Sequence, residues 1–384
     1  MERFRGLKPL FLATLFRGIG STVIRVFLPV YALTIGMDIN DIGFAVTLAT
    51  AISVLVLPIM GYLADVVSRK LALIISTTFL AIAALLPMLY SMRLLILIAF
   101  ILFYVSFLSW QPARGALVAG ESPTGTLGKT FALLSLAFWI PRTITPYIAG
   151  IIIAYLGYKY AFLISLLSSA IAVFALTLLR EERGNNRVQA VSLSEVLKGI
   201  IPTRKEIPLH VILSLDRIGW MLWLPLLNPF MKAELHLNED DIGLLNTIMN
   251  IATILVLIPS GRIVDSYGWR IGLLLSELSV IIGLIPLILV PSIYCIVILM
   301  TGIGISIGLW LPSFNTAIPS IVNNHAEMGR GYSRVNIYRV IASVPSPWIG
   351  GALYTILSTC PLILGCMLLT INAILIALNP WKKQ

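Results

Sequence analysis

Apolar residues run through this chain in stretches of about 20, the length that carries an α-helix across the roughly 30 Å hydrocarbon core of a bilayer. Twelve such stretches are predicted. Six lie near 9–35, 41–63, 71–91, 94–118, 131–156 and 159–180, and six more near 208–231, 240–262, 270–290, 292–317, 332–357 and 361–379. Between the sixth and the seventh lies a polar segment from Arg180 to Glu206, with Gly184, Asn185 and Asn186 at its middle. The pattern predicts an all-α membrane protein with a six-helix bundle over 1–180, a linker loop over 181–206 and a second six-helix bundle over 207–384. No room is left for a soluble domain. The first stretch follows Arg3, Arg5 and Lys8 and at first sight resembles a secretory signal. It runs on to about Leu33, contains Arg17 and Arg25 and has no early small-x-small site, so it reads as a retained span.

Composition supports this reading. Of the 384 residues 58% are hydrophobic and only 11% charged, whereas soluble domains carry about 25% charged residues. Secreted, disordered and nucleic-acid-binding classes fall away. The net charge of +10 takes its meaning from where the charges lie. Of the 27 basic residues, eighteen fall on the N-terminus, the even-numbered loops, the central segment and the C-terminus; only Arg93, Lys159 and Lys232 fall in the other loops. The positive-inside rule then puts both termini and the central loop in the cytoplasm, in a multi-pass protein of the cell membrane. Cys295, Cys360 and Cys366 sit in apolar runs and read as small hydrophobes, with no disulfide or metal spacing. Neither a metal nor a cofactor is expected.

The two halves repeat each other at an offset of 200. Phe16-Arg17-Gly18-Ile19-Gly20 is echoed by Asp216-Arg217-Ile218-Gly219, and Asp41-Ile42-Gly43 by Asp241-Ile242-Gly243. Gly61 and Asp65 recur as Gly261 and Asp265, and Trp110 and Pro112 as Trp310 and Pro312. Near the end the offset becomes 201, pairing Pro146 and Gly150 with Pro347 and Gly351. Five pairs in order indicate an internal duplication. Matching loops share a face, so each repeat holds an even number of spans. Two six-span repeats related by an axis along the membrane normal form an arrangement in which transporters bind substrate at the repeat interface.

Between spans two and three stands Gly61-Tyr62-Leu63-Ala64-Asp65-Val66-Val67-Ser68-Arg69-Lys70, with a weaker copy at Gly261-Arg262-Ile263-Val264-Asp265-Ser266-Tyr267-Gly268-Trp269-Arg270. This resembles the G-x-L-x-D-x-x-G-R-K loop of the major facilitator superfamily, and the resemblance covers the whole chain. It implies twelve helices in two pseudo-symmetric bundles, and a conformational latch formed by Gly61, Asp65, Arg69, Lys70, Gly261, Asp265 and Arg270. Ser68 departs from the motif's second glycine. Thr145-Pro146-Tyr147-Ile148-Ala149-Gly150 looks like a worn G-P-x-x-G-G antiporter motif, which Pro347-Trp348-Ile349-Gly350-Gly351 retains more completely. Physically, Gly61 would permit close packing, and a carboxylate such as Asp65 is favoured beside a helix N-terminus.

Six arginines lie inside the spans, namely Arg17, Arg25, Arg114, Arg142, Arg217 and Arg339, against two acids, Asp216 and Glu277. A charge at a helix centre costs on the order of 2.5–3.5 kcal/mol on insertion scales, so it faces a cavity, a partner or the interface. Thr14, Arg17, Ser21 and Arg25 form one helical stripe, and Ser135, Trp139, Arg142 and Pro146 another. Spans four, eight and eleven offer Gln111 with Arg114, Asn246 with Asn250, and Asn336 with Arg339, while spans three, six and twelve read as nearly wholly apolar. The substrate-cavity candidates are therefore Arg17, Ser21, Arg25, Gln111, Arg114, Trp139, Arg142, Arg217, Asn246, Asn250, Asn336 and Arg339. Trp110, Trp220, Trp223 and Trp310 are either cavity walls or packing residues. Asp216 is the candidate for proton coupling, with a structural ion pair to Arg217 as the competing reading. Glu277, near a helix end, reads as structural.

The expected function is a secondary-active transporter that moves a small organic solute, anionic or amphipathic, by alternating access with proton coupling. Its partners are that solute, the lipid bilayer and protons, with no nucleic acid, and the chain is expected to be a monomer. An efflux antiporter for neutral or cationic drugs or metabolites is the alternative on the same fold. A non-transporting membrane sensor and a lipid-modifying membrane enzyme come from other classes. His210, His236 and His325 are far apart, so no catalytic constellation is visible, and no GxxxxGK[ST] loop points to nucleotide drive.

Overall fold

A computed structural model of the protein describes residues 7–121, 127–179, 202–321 and 328–378. Most of the linker expected over 181–206 lies outside these residues. Among the described residues every regular element is helical. In chain order they are α1 (Lys8–Thr34), α2 (Ile39–Tyr62), α3 (Arg69–Leu89), α4 (Arg93–Glu121), α5 (Leu127–Leu156) and α6 (Tyr158–Thr177). Then come α7 (Ile207–Ala233), α8 (Glu239–Tyr267), α9 (Trp269–Leu289), α10 (Ile293–Ile321), α11 in two pieces (Met328–Ser343 and Ser346–Tyr354) and α12 (Cys360–Leu378). Eleven are long and apolar enough to cross a membrane. The other is α11, whose two pieces are each shorter than a span.

Proline accounts for the breaks. Pro225 sits in a 3-10 turn, Leu224–Leu226, inside α7, where its missing N–H cannot continue the α-helical ladder. In α11 the interruption falls at Val344 and Pro345, directly before the second piece. Expected spans seven and eleven, drawn as continuous, are thus both interrupted.

The chain divides into two compact units, one of residues 1–38, 45–190 and 237–247 and one of residues 39–44, 191–236 and 248–384. In the first, α1 packs on α5 and α6, and α3 on α4 and α6. Leu10, Leu73, Trp110, Leu117 and Leu176 form its core at one end. In the second, α7 packs on α11 and α12, and α9 on α10 and α12, around Leu213, Leu273, Ile318, Val335 and Ile376. The same packing order in both units is what a duplicated sequence builds.

Small residues set the approach distances. A Cβ added to Gly20 of α1 would lie 2.6 Å from Ser169 Oγ of α6. The repeated Asp-Ile-Gly motif acquires a reason of the same kind. A Cβ on Gly43 would lie 2.3 Å from Pro347 O inside the second unit, and one on Gly243 would lie 2.3 Å from Pro146 O inside the first.

Candidate functional site

In the first unit the α1 stripe points inward. Arg17 is only 4% exposed. Its Nη2 donates to Ser106 O at 2.8 Å, to Ser106 Oγ at 2.7 Å and to Ser76 Oγ at 3.3 Å, and the guanidinium lies 4.4 Å from the centre of the Trp110 ring. It is held by protein rather than reaching for an interface. Ser21 returns its hydroxyl to Gly18 O at 3.3 Å.

Further along α1 stands Arg25, close enough to Arg142 of α5 for their charges to interact. Arg142 lies over Phe138 at 4.9 Å and Trp139 at 5.5 Å. Arg25 Nε and Nη2 are buried and receive no acceptor from any described residue. On α4, Arg114 Nη2 donates to Gln111 Oε1 at 2.9 Å.

In the second unit the charges are mixed. Asp216, 4% exposed, has its Oδ2 3.9 Å from Arg339 Nη2. The Arg339 guanidinium lies 4.6 Å from the Trp310 ring centre and 5.0 Å from that of Phe314, and these two rings stack at 4.5 Å. Arg217 turns its Nε to Ser343 Oγ at 3.0 Å. Asp216 thus faces a cation from another helix, Arg339, in addition to the charge of its chain neighbour Arg217, which also acts on it.

Glu277, read as structural, is buried and paired rather than at an interface. It is 3% exposed, accepts from Asn372 Nδ2 at 2.7 Å and lies within hydrogen-bonding reach of Asp216. Spans three and twelve, read as apolar, supply Ser76 and Asn372 to these two sites. Asn336 is exposed and bonds back to Tyr332 O, and Asn246 is buried and bonds to Ile242 O. Asn250 is buried on the same helix, four residues on from Asn246.

Tryptophans divide by role. Trp110 and Trp310 face arginines, whereas Trp223 is buried and stacked on Trp220 at 5.3 Å. An apolar groove of about 320 Å³ on α1, α5 and α6, lined among others by Leu15, Ile19, Ile144 and Ile164, contains none of the arginines.

In the loop motif, a Cβ on Gly61 or Gly261 would meet no heavy atom of the described residues within 4 Å. The Asp65 side chain lies outside what the structure describes, and Asp265 is exposed. Lys70 Nζ donates to Thr177 O at 2.6 Å and Leu179 O at 2.7 Å, and Arg270 Nη2 donates to Ile376 O at 2.9 Å. Each cation thus caps the carboxyl end of the sixth helix of its own repeat, where unpaired carbonyls concentrate negative charge. Arg69 is half-buried at the start of α3. Ser68 caps α3, its Oγ accepting from Leu71 N at 3.0 Å, after a π-helical turn over Leu63–Val67. In the second copy Gly268 takes this place with φ +85°, a conformation that suits glycine. Arg334, one of the eighteen basic residues assigned to the termini and loops, is inside α11, buried and 2.9 Å from Glu206 Oε1.

Asn372, which sequence reading missed, left a trace in the repeat together with the residues it joins. At offsets of 200 and 201, Asp216, Glu277, Arg339 and Asn372 stand where the first half has Phe16, Thr77, Phe138 and Ile171. Four departures from the repeat meet in one place.

A profile of the Major Facilitator Superfamily matches residues 10–208 and again 209–382. The "Multidrug resistance protein MdtG" of Salmonella arizonae is 24% identical over 363 residues, covering 91% of this chain and 88% of that protein. The "Multi-drug resistance efflux pump PmrA homolog" of Lactococcus lactis is 23% identical over 387 aligned residues, covering 96% and 93%. Among solved structures, a bacterial homologue of the iron transporter ferroportin in an inward-facing state superposes with a TM-score of 0.75. That match has 13% identity and covers 97% of this chain and 98% of that one. A POT family transporter in complex with a thioalcohol conjugated peptide gives a TM-score of 0.75 at 14% identity, covering 97% and 95%. At such identities the likeness is one of fold.

Proposed function

The chain belongs to the major facilitator superfamily, a multi-pass membrane transporter and not an enzyme, and on that premise we propose that it moves a small anionic or amphipathic organic solute by alternating access, driven by a proton gradient. Arg25 carries the substrate class. Its Nε and Nη2 are buried and lack an acceptor among the described residues, and Arg142 is close enough for the two charges to interact. A buried donor without a partner costs about 1–3 kcal/mol, more when charged, and a carboxylate or phosphate supplies the missing acceptors in the geometry a guanidinium prefers. The rings of Phe138 and Trp139 beside Arg142 suit an organic remainder. Asp216 is the member of the site offered for proton coupling.

The charge distribution supports cytoplasmic termini and a cytoplasmic linker, with bundles over 1–180 and 207–384 working as the two moving bodies of a monomer.

The test is a thermal-shift panel of anionic, neutral and cationic organic compounds on purified protein, followed by counterflow of the strongest stabiliser in liposomes. An anion is expected to emerge. Arg25→Gln and Arg142→Gln should each weaken its binding about tenfold to a hundredfold, the worth of hydrogen bonds to a charged group at ~1.5–3 kcal/mol. A cationic stabiliser, or unchanged affinity in both variants, would refute the assignment. Efflux of neutral or cationic drugs is the second reading, favoured by the multidrug names of the two relatives.

A further inference from the structure

We propose that Asp216 and Glu277 hold one exchangeable proton between them as a single site, and that this pair, rather than Asp216 alone, couples the transporter to a proton gradient; the coupling role rests on the proton-driven reading above. Asp216 lies on α7 and Glu277 on α9, and both are more than nine-tenths buried. One oxygen of each is accounted for: Glu277 Oε1 accepts from Asn372, and Asp216 Oδ2 faces Arg339. The other oxygens, Asp216 Oδ1 and Glu277 Oε2, are buried and receive no donor from any described residue. The two carboxyl groups are nevertheless within hydrogen-bonding reach of each other.

Two ionised carboxylates offer only acceptors and would repel at this distance. A proton on one turns the contact into a donor–acceptor pair and satisfies both orphaned oxygens. The internal repeat supports a dedicated site, since the first half has Phe16 and Thr77 at the two acidic positions and Phe138 and Ile171 at those of Arg339 and Asn372.

The surroundings supply the release mechanism. Among the described residues the charged groups acting on the pair are Arg339 from α11 and Arg217 from α7, with the Trp310 indole from α10 and the Asn372 amide from α12 beside them. With the shared proton in place the two acids and two arginines carry a formal charge of +1. Releasing that proton to water leaves two carboxylates against two guanidinium groups, a neutral set. An anion bound in this field favours the protonated form and a cation the deprotonated form, so one site accounts for anion symport or cation antiport.

The experiment is pH-titrated infrared difference spectroscopy of the full chain in lipid membranes, reading the carbonyl stretch of a buried protonated carboxyl. Wild type should show one such group at neutral pH. Glu277→Gln keeps the side-chain shape and an acceptor for Asn372, and should abolish the band, because it removes the second carboxylate that makes the shared proton necessary while Arg339 still faces Asp216. Asp216→Asn should move the titration midpoint of the remaining Glu277 by about a pH unit or more, the scale of a lost neighbouring charge. No band in wild type, or a midpoint indifferent to removal of the neighbour, overturns the site. If Glu277→Gln does not fold, Asp216→Asn alone gives that second reading. Counterflow of the panel compound with the largest thermal shift, with and without an imposed pH gradient, tests coupling separately. Insensitivity to the gradient beside an intact band overturns proton drive and leaves the shared proton standing. Gradient-driven uptake without the band overturns the pair and leaves proton drive standing.

Discussion

In the first unit Ser76 and Ser106 meet around the guanidinium of Arg17, whereas in the second Ser276 and Ser306, 200 residues on, bond to each other at 2.7 Å. Trp110 carries Arg17 on its face; Trp310, its counterpart, carries Arg339, which comes from α11. The serines and the tryptophan are thus a shared scaffold, and the charges laid on it have diverged. Among the described residues Arg17 is paired with no acid; it is held by hydroxyl and carbonyl oxygens and an aromatic face, as a buried guanidinium can be. Arg339 instead faces Asp216, with Glu277 behind it. The difference teaches that duplication conserves the helix-packing node, while the second copy uses it to bury titratable groups.

That contrast can be broken most sharply at Arg339. Arg339→Ala leaves two buried acids without their main counter-cation, and removing one partner of a buried pair costs about 3–5 kcal/mol. Thermal unfolding in detergent should show this loss at neutral pH and a smaller one at acid pH, where both carboxyl groups are neutral. An equal loss at both would mean that Arg339 acts through its packing on Trp310 and Phe314 alone. Arg17→Leu comes next. It removes hydrogen bonds to a charged group, about 1.5–3 kcal/mol, but strands no acid, and Ser76 keeps its 2.8 Å bond to Ser106 O. The cost should be the same at neutral and acid pH, so a pH-dependent loss would show an acid near Arg17 after all. The smallest effect belongs to Lys70→Ala, which strips the cap from the end of α6 at about 0.3–1 kcal/mol. Faster amide exchange confined to the last turn of α6 would match the contacts with Thr177 and Leu179, and unchanged exchange there would argue against the cap.

The helices, their number and the repeat were legible in the sequence because each rests on local or periodic information. About 20 apolar residues make a span whatever surrounds them, and a fixed offset can be read without coordinates. The arginines of the site were legible too, since a charge in an apolar run stands out. Their partners were not, for physical reasons. Asp216 is next to Arg217 in the chain, yet a helix turns successive residues about 100° apart, and the cation within 4 Å across the bundle is Arg339, 123 residues on. Asn372 and Ser76 are single polar residues in apolar helices, cheap enough to pass as background until α12 brings Asn372 to Glu277 and α3 brings Ser76 to Arg17. The contacts of the loop motif were not legible either: only the folded chain shows Lys70 and Arg270 reaching for helix ends, and, among the described residues, open space beside Gly61 and Gly261. Sequence by itself determined which residues carry charge into the membrane; tertiary structure decided which of those charges face each other, because burial makes pairing obligatory without saying in the linear order where the partner lies.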